Sequence, residues 1–207
     1  MDELTIVAAQ LERMRGMTRY YHEQFFSDTR NVVIGVLALF VAGWAIAPQA
    51  FLLIPVLALI GANQTAFDAS YLYFARHYAS ALERSINEKL GARWLVGAEL
   101  EDRYLFPLSE PKIVTIRVGS EFSWFGWMTV LFTLAGAVAF VAGLALGWSV
   151  LENAGTEWTI FYLASLGSLT IASLATGYWW FAAGEGERRL REVLEGLGHP
   201  NEPGGNE

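Results

Sequence analysis

The chain contains no cysteine, which excludes disulfides, thiolate metal sites and thiol nucleophiles and leaves the redox compartment open. Charge is scarce as well: 17% of the residues are charged, against 54% apolar. Three long stretches, 31–67, 122–151 and 158–184, hold no Asp, Glu, Lys or Arg at all. A helix crosses a bilayer core with about 20 apolar residues, so 31–67, broken at Pro48-Gln49, predicts a hairpin of two spans. The two later runs predict a second hairpin. The expected fold is therefore an all-α integral membrane protein with four transmembrane helices in two hairpins, cytoplasmic helical extensions and a small irregular cytoplasmic loop region.

Basic residues are also missing from the two short turns, around Pro48 and at 152–157. All fourteen lie elsewhere: Arg13, Arg15, Arg19 and Arg30 before the first span, seven between spans two and three, and Arg188, Arg189 and Arg191 after the fourth. Lys and Arg near span ends set topology, so both termini and the middle loop are expected to be cytoplasmic, in a plasma (inner) membrane. Met1-Asp2-Glu3-Leu4 is acidic where a signal peptide would be basic, so the first span is expected to stay as an anchor. The formal charge of -7 argues against nucleic acid, which needs a basic footprint.

Residues 1–30 read as a cytoplasmic amphipathic helix, with Leu4, Val7, Leu11, Met14, Tyr21 and Phe25 on a three-four spacing and Thr18 in the seam. Residues 31–91 form the first hairpin and a following helix. Its stripe of Ala75, Tyr78, Leu82, Ile86 and Leu90 is expected to pair antiparallel with the first seam, and Gly91 to cap its end. In span one, Gly35, Ala38 and Ala42 have the small-residue spacing that lets helices approach closely in lipid. Pro55 falls within span two, where neighbours must satisfy the carbonyl it frees. Residues 92–121 lack helical periodicity; β-branched 113–118, after Pro107 and Pro111, suggests an irregular or short-stranded cap. Residues 122–198 hold the second hairpin, with Gly143 and Gly147 as a GxxxG pair, and a short amphipathic helix of Leu190, Val193, Leu194 and Leu197. Residues 199–207 read as a disordered tail.

Sliding the chain by 107 positions aligns Tyr71 with Tyr178, Phe74 with Phe181, Arg84 with Arg191 and Gly91 with Gly198. A duplicated hairpin would make the second half a parallel repeat of the first.

Little chemistry is on offer. Ionisable residues inside the spans, the usual sign of transport or proton relay, are absent. Asn63, Gln64 and Asp68 stand at the cytoplasmic end of span two, either bonding to neighbouring helices or forming the polar mouth of a pore. Ser165, Ser168, Ser173 and Thr176 occupy one broad arc of span four. Packed, the arc would lie against span one or three, near Gly35 or Gly143; wet, it would line a conduit. His22 and His77, with Glu23, are far enough below the membrane to meet in a stalk, where two histidines and a carboxylate could make a metal site, although surface histidines are far commoner than ligands. No catalytic residue, cofactor or metal is assigned, and no enzyme activity is expected.

The leading expectation is a non-enzymatic, self-associating membrane scaffold or accessory subunit that presents a cytoplasmic helical platform. Its partners would be the lipid bilayer and either further copies or another membrane protein. The alternative is an oligomeric ion channel or pore-forming effector with the fourth span lining the conduit. A helix running into a tight two-span hairpin and then a further helix resembles the architecture of SLATT-type pore effectors; the second hairpin departs from it.

Overall fold

The computed structural model describes residues 3–104 and 124–195. Among them every regular element is helical. Helix α1 (Glu3–Ala45) and helix α2 (Leu53–Leu90) are joined by a tight turn containing a 3-10 segment, Pro48–Leu52. Helix α3 (Gly97–Tyr104) follows α2, and helices α4 (Trp124–Ala154) and α5 (Thr156–Gly177) form the second hairpin. A π-helical turn, Tyr178–Ala182, leads from α5 to α6 (Glu185–Glu195). Four of these helices are long and apolar enough to cross a membrane.

The predicted N-terminal helix and first span are one helix. At 1.5 Å per residue the 43 residues of α1 run about 65 Å, twice a bilayer core, so the same rod is span at one end and stalk at the other. Helix α2 does likewise. Its C-terminus closes as the sequence leads one to expect: Gly91 sits at φ 64°, its N–H reaches the Glu88 carbonyl, and the Ala92 N–H reaches Asn87. Those two bonds satisfy carbonyls a helix end would otherwise leave open.

In the stalk, Leu11 and Met14 of α1 pack with Ala79, Leu82 and Ile86 of α2, flanked by Leu4, Val7, Met17, Tyr78 and Leu95. Thr18 fits the seam because its hydroxyl donates to the Met14 carbonyl, 3.0 Å away. Tyr21 stacks on Tyr71, ring centroids 4.7 Å apart, and Phe25 is 1% exposed. Leu90 departs from the predicted stripe and is exposed.

Small residues set the helix spacing in the apolar half. A Cβ on Gly61 would fall 2.6 Å from Val32, one on Gly35 2.9 Å from Leu57, and one on Gly43 2.5 Å from the Phe51 ring. Gly35 and Gly43 are thus the close-approach points of α1. Ala38 is exposed and Ala42 half-buried, so the predicted Gly35, Ala38, Ala42 stripe narrows to its first member. Gly143 of α4 lies against Ile54, Pro55 and the Phe51 carbonyl, and Gly147 against Leu52. Pro55, expected within span two, is the third residue of α2. In the first helical turn its missing N–H leaves no carbonyl unpaired.

Helix α2 is the hub: α1, α4, α5 and α6 all pack on it, while α1 and α5 do not touch. Burial follows, since 28% of the most apolar window of the second span is covered within the chain and only 6% of that of the fourth. The predicted irregular region begins with a helix, α3, instead; its start Gly-Ala-Glu-Leu-Glu puts acidic residues where a helix N-terminus favours them. The expected cap at 113–118, the tail at 199–207, and Leu197 and Gly198 lie outside the described residues.

Candidate functional site at the junction of stalk and spans

Where the charge-free run of α2 ends, the polar side chains face two different helices. Asn63 turns to α5, and its amide donates to Ser173 Oγ at 2.8 Å and to its own helix at the Leu59 carbonyl. Asp68 turns to α1 and is 1% exposed. Gln64, one turn before it, donates to Asp68 Oδ1 at 3.3 Å. The three residues predicted to gather at one polar mouth are therefore split between two helix interfaces.

The α1 side of the layer mirrors the α2 side. Gln24 donates to both oxygens of Asp28, at 3.0 and 3.1 Å, so each helix carries a glutamine bonded to an aspartate four residues on. The contacts Val32 with Gly61 and Tyr21 with Tyr71 fix the antiparallel register, which sets Phe25 and Thr29 against the turn holding Gln64 and Asp68. Thr29 is 5% exposed. Its hydroxyl and Asp68 Oδ2 are both buried without a hydrogen-bond partner.

Farther down the stalk, buried polar groups of α2 hold α3 in place. Glu83, 4% exposed, accepts from Arg15 of α1 at 2.8 Å and from the Ala98 N–H at 2.9 Å. It thereby caps the first turn of α3 while tying in α1. Arg76, also 4% exposed, pairs with Glu101 of α3 at 2.6 Å. Asn87 accepts the Trp94 and Leu95 N–H groups and donates to the Leu95 carbonyl, fixing the connecting loop. Arg76, Glu83 and Asn87 are spaced by seven and four residues and so share one face of α2. Sequence periodicity marks apolar stripes, and this polar stripe went unread.

Histidine placement follows from the same face. Burial, and then the Arg76 charge, lower the pKa of His22 from its ordinary value. His77 bonds the Tyr73 carbonyl through Nδ1 at 3.1 Å. Among the described residues no group of three His, Asp or Glu is gathered as a metal site.

Helix α5 runs parallel to α2 along three polar rungs. Tyr162 OH donates to the Leu52 carbonyl at 2.6 Å, Asn63 to Ser173, and Trp180 Nε1 to Ser70 at 2.9 Å, each pair 110 positions apart. Of the predicted hydroxyl arc only Ser173 faces the chain's interior; Ser165, Ser168 and Thr176 are exposed. Packing of the arc against span one, near Gly35, is not found, since α1 and α5 do not touch; α5 lies against α2 and also meets α4. Past the π turn, Arg189 lies over Trp179 and Trp180, 5.3 and 5.8 Å from their ring centroids, and bonds Glu185. Two arginines, Arg188 first, hold the Glu185 carboxyl down at a pKa of about 2. Burial, reinforced by Glu187, pushes Tyr73 up to about 12.

No protein family, curated protein or solved structure matches the chain.

Proposed function

We propose that this is a non-enzymatic membrane scaffold or accessory subunit that holds a preformed cytoplasmic platform, built from α1, α2 and α3, at a fixed distance from the bilayer. The carrying observation is the set of polar ties from the buried Glu83 and Arg76 of α2, Arg15–Glu83–Ala98 and Arg76–Glu101. Specific polar contacts between helices favour one arrangement of them, and a docking surface gains affinity when its shape exists before the partner arrives. Because α1 and α2 pass from span to stalk without a break, the platform inherits the orientation of the spans.

Self-association belongs to the same reading. The thinly covered α5 and the outward Ser165, Ser168 and Thr176 offer small and hydroxyl-bearing surface, which favours close helix contact in lipid. The exposed arc also favours a second reading, an oligomeric channel in which α5 of several copies surrounds a wet path. Single cysteines at Ser165, Ser168 and Thr176 in a chain that has none separate the two. Crosslinking between copies without ion flux in liposomes supports the scaffold; flux blocked by a water-soluble thiol reagent at those positions replaces it with the channel. A monomer that neither crosslinks nor conducts removes self-association.

A further inference from the structure

The layer joining stalk to spans holds two carboxylates, Asp28 and Asp68. Asp28 is the charged group that bears on Asp68, and no Lys or Arg ion pair is formed by either carboxylate among the described residues. Arg30, adjacent in sequence to Thr29, lies on the exposed cleft lined by His22, Glu23, Phe26 and Ser27. From α1 the groups facing Asp68 are Asp28 and the Tyr21 phenol, itself stacked on Tyr71; from α2 it is Gln64. On the other side of α2, Ser70 is occupied by Trp180, and Glu187 and Arg191 of α6 act on Tyr73.

An ionised carboxylate removed from water needs a cation or several donors, and Asp68 has one long amide bond on Oδ1 and none on Oδ2. Thr29, a separate residue on the opposing helix, is buried in the same layer with its hydroxyl also unpartnered. Two neutral-compatible oxygens and a neighbouring negative charge suit a proton. A hard metal cation takes six or more oxygens, which this layer does not supply.

We propose that the Asp28–Asp68 layer is a proton-binding site and that Asp68 carries the proton while the stalk is closed. The step is a simple dissociation: the Asp68 O–H bond breaks, the electron pair stays on the carboxylate, and the proton leaves to water. Release puts a second negative charge beside Asp28, on the buried Asp68, so it opposes the packing of α1 on α2 there, and closure and protonation favour each other.

The test uses the whole protein in lipid nanodiscs, with infrared spectra recorded across a pH titration for the native chain, Asp68→Asn and Asp28→Asn. The native chain is expected to show a protonated-carboxyl band at neutral pH that Asp68→Asn removes. Asp28→Asn, by lifting the like charge, is expected to lower the pH at which the band disappears by about one unit or more. A native spectrum without that band at neutral pH overturns the proposal, as does a midpoint unmoved by Asp28→Asn, which decides the matter even if Asp68→Asn does not fold. Loss of the band when sodium replaces choline in the buffer makes the layer an alkali-cation site and overturns it as well.

Discussion

Tyr162 of α5 donates its hydroxyl hydrogen to the carbonyl of Leu52, in the turn of the first hairpin, at 2.6 Å. The bond joins the two hairpins at the end where α4 also docks, with Gly143 and Gly147 seated on residues 51–55. The hairpins are therefore pinned together at their turns, and α2 carries the register from there to the stalk.

That seat predicts the response to a single methyl. At Gly143 a Cβ would meet Ile54 Cβ at 2.8 Å, Pro55 Cδ at 2.9 Å and the Phe51 carbonyl at 3.0 Å, none of which can rotate aside. Gly143→Ala should destabilise by about 1–3 kcal/mol, the usual cost of overpacking. Gly136, with nothing within 4 Å of its would-be Cβ, should accept alanine without loss. Thermal unfolding of the two variants in one detergent checks this, and equal melting would remove α4 from its seat.

The stalk gives the second prediction. Leu11 and Leu82 are 4% and 7% exposed in the seam, so Leu11→Asp or Leu82→Asp buries a charge with no partner and should cost several kcal/mol unless the helices part. Chemical denaturation should report a lower midpoint for both variants. Wild-type midpoints would dissolve the pairing of α1 with α2 below the membrane.

How much of this the sequence showed depends on what kind of contact was at stake. The seam from Leu4 to Phe25 and the stripe from Ala75 to Ile86 repeat every three to four residues, and periodicity is visible without a partner. The latch on α3 is made of single polar contacts between residues 15 and 25 positions apart, and nothing in the local pattern announces them. Helix α5 is apolar nearly all round, so its packed face could not be told from its lipid face; the rungs from Tyr162, Ser173 and Trp180 decide it. The paired Gln24/Asp28 and Gln64/Asp68 spacings were legible as text. Their meeting across two helices needed the register.

Latching of α3 can be tested at Glu83. Glu83→Ala leaves the buried Ala98 N–H without its acceptor, at a cost of about 1–3 kcal/mol, and frees the half-exposed Arg15 guanidinium to water. Amide hydrogen exchange should quicken across 97–101 while the seam around Leu11 and Met14 stays protected. Unchanged exchange in α3 would show that Arg76–Glu101 and Asn87 hold it alone.

The start of α6 predicts a pH dependence. Because the folded pKa of Glu185 is about 2, below its ordinary 4.5, its contribution is fully present above about 4.5 and is lost as pH falls through about 2. Hydrogen exchange in the first turn of α6 should be independent of pH from 8 to 5 once intrinsic rates are divided out, and should rise as pH approaches 2. Glu185→Gln should show the raised exchange at every pH.

Orientation is the last prediction, and it rests on charge alone. The two short turns hold no Lys or Arg, and all fourteen basic residues fall before the first span, between the second and third, or after the fourth. Insertion keeps such residues on the cytoplasmic side, so a cysteine at Asn153, in the turn between α4 and α5, should react with a membrane-impermeant thiol reagent added to intact cells. Cysteines at Ser109 and Asn201 should react only after the membrane is opened. The native chain is a clean background because it has no thiol of its own. Labelling at Ser109 in intact cells would reverse the orientation and put the α1–α2–α3 platform outside the cell, while the helix contacts that build it would stand unchanged.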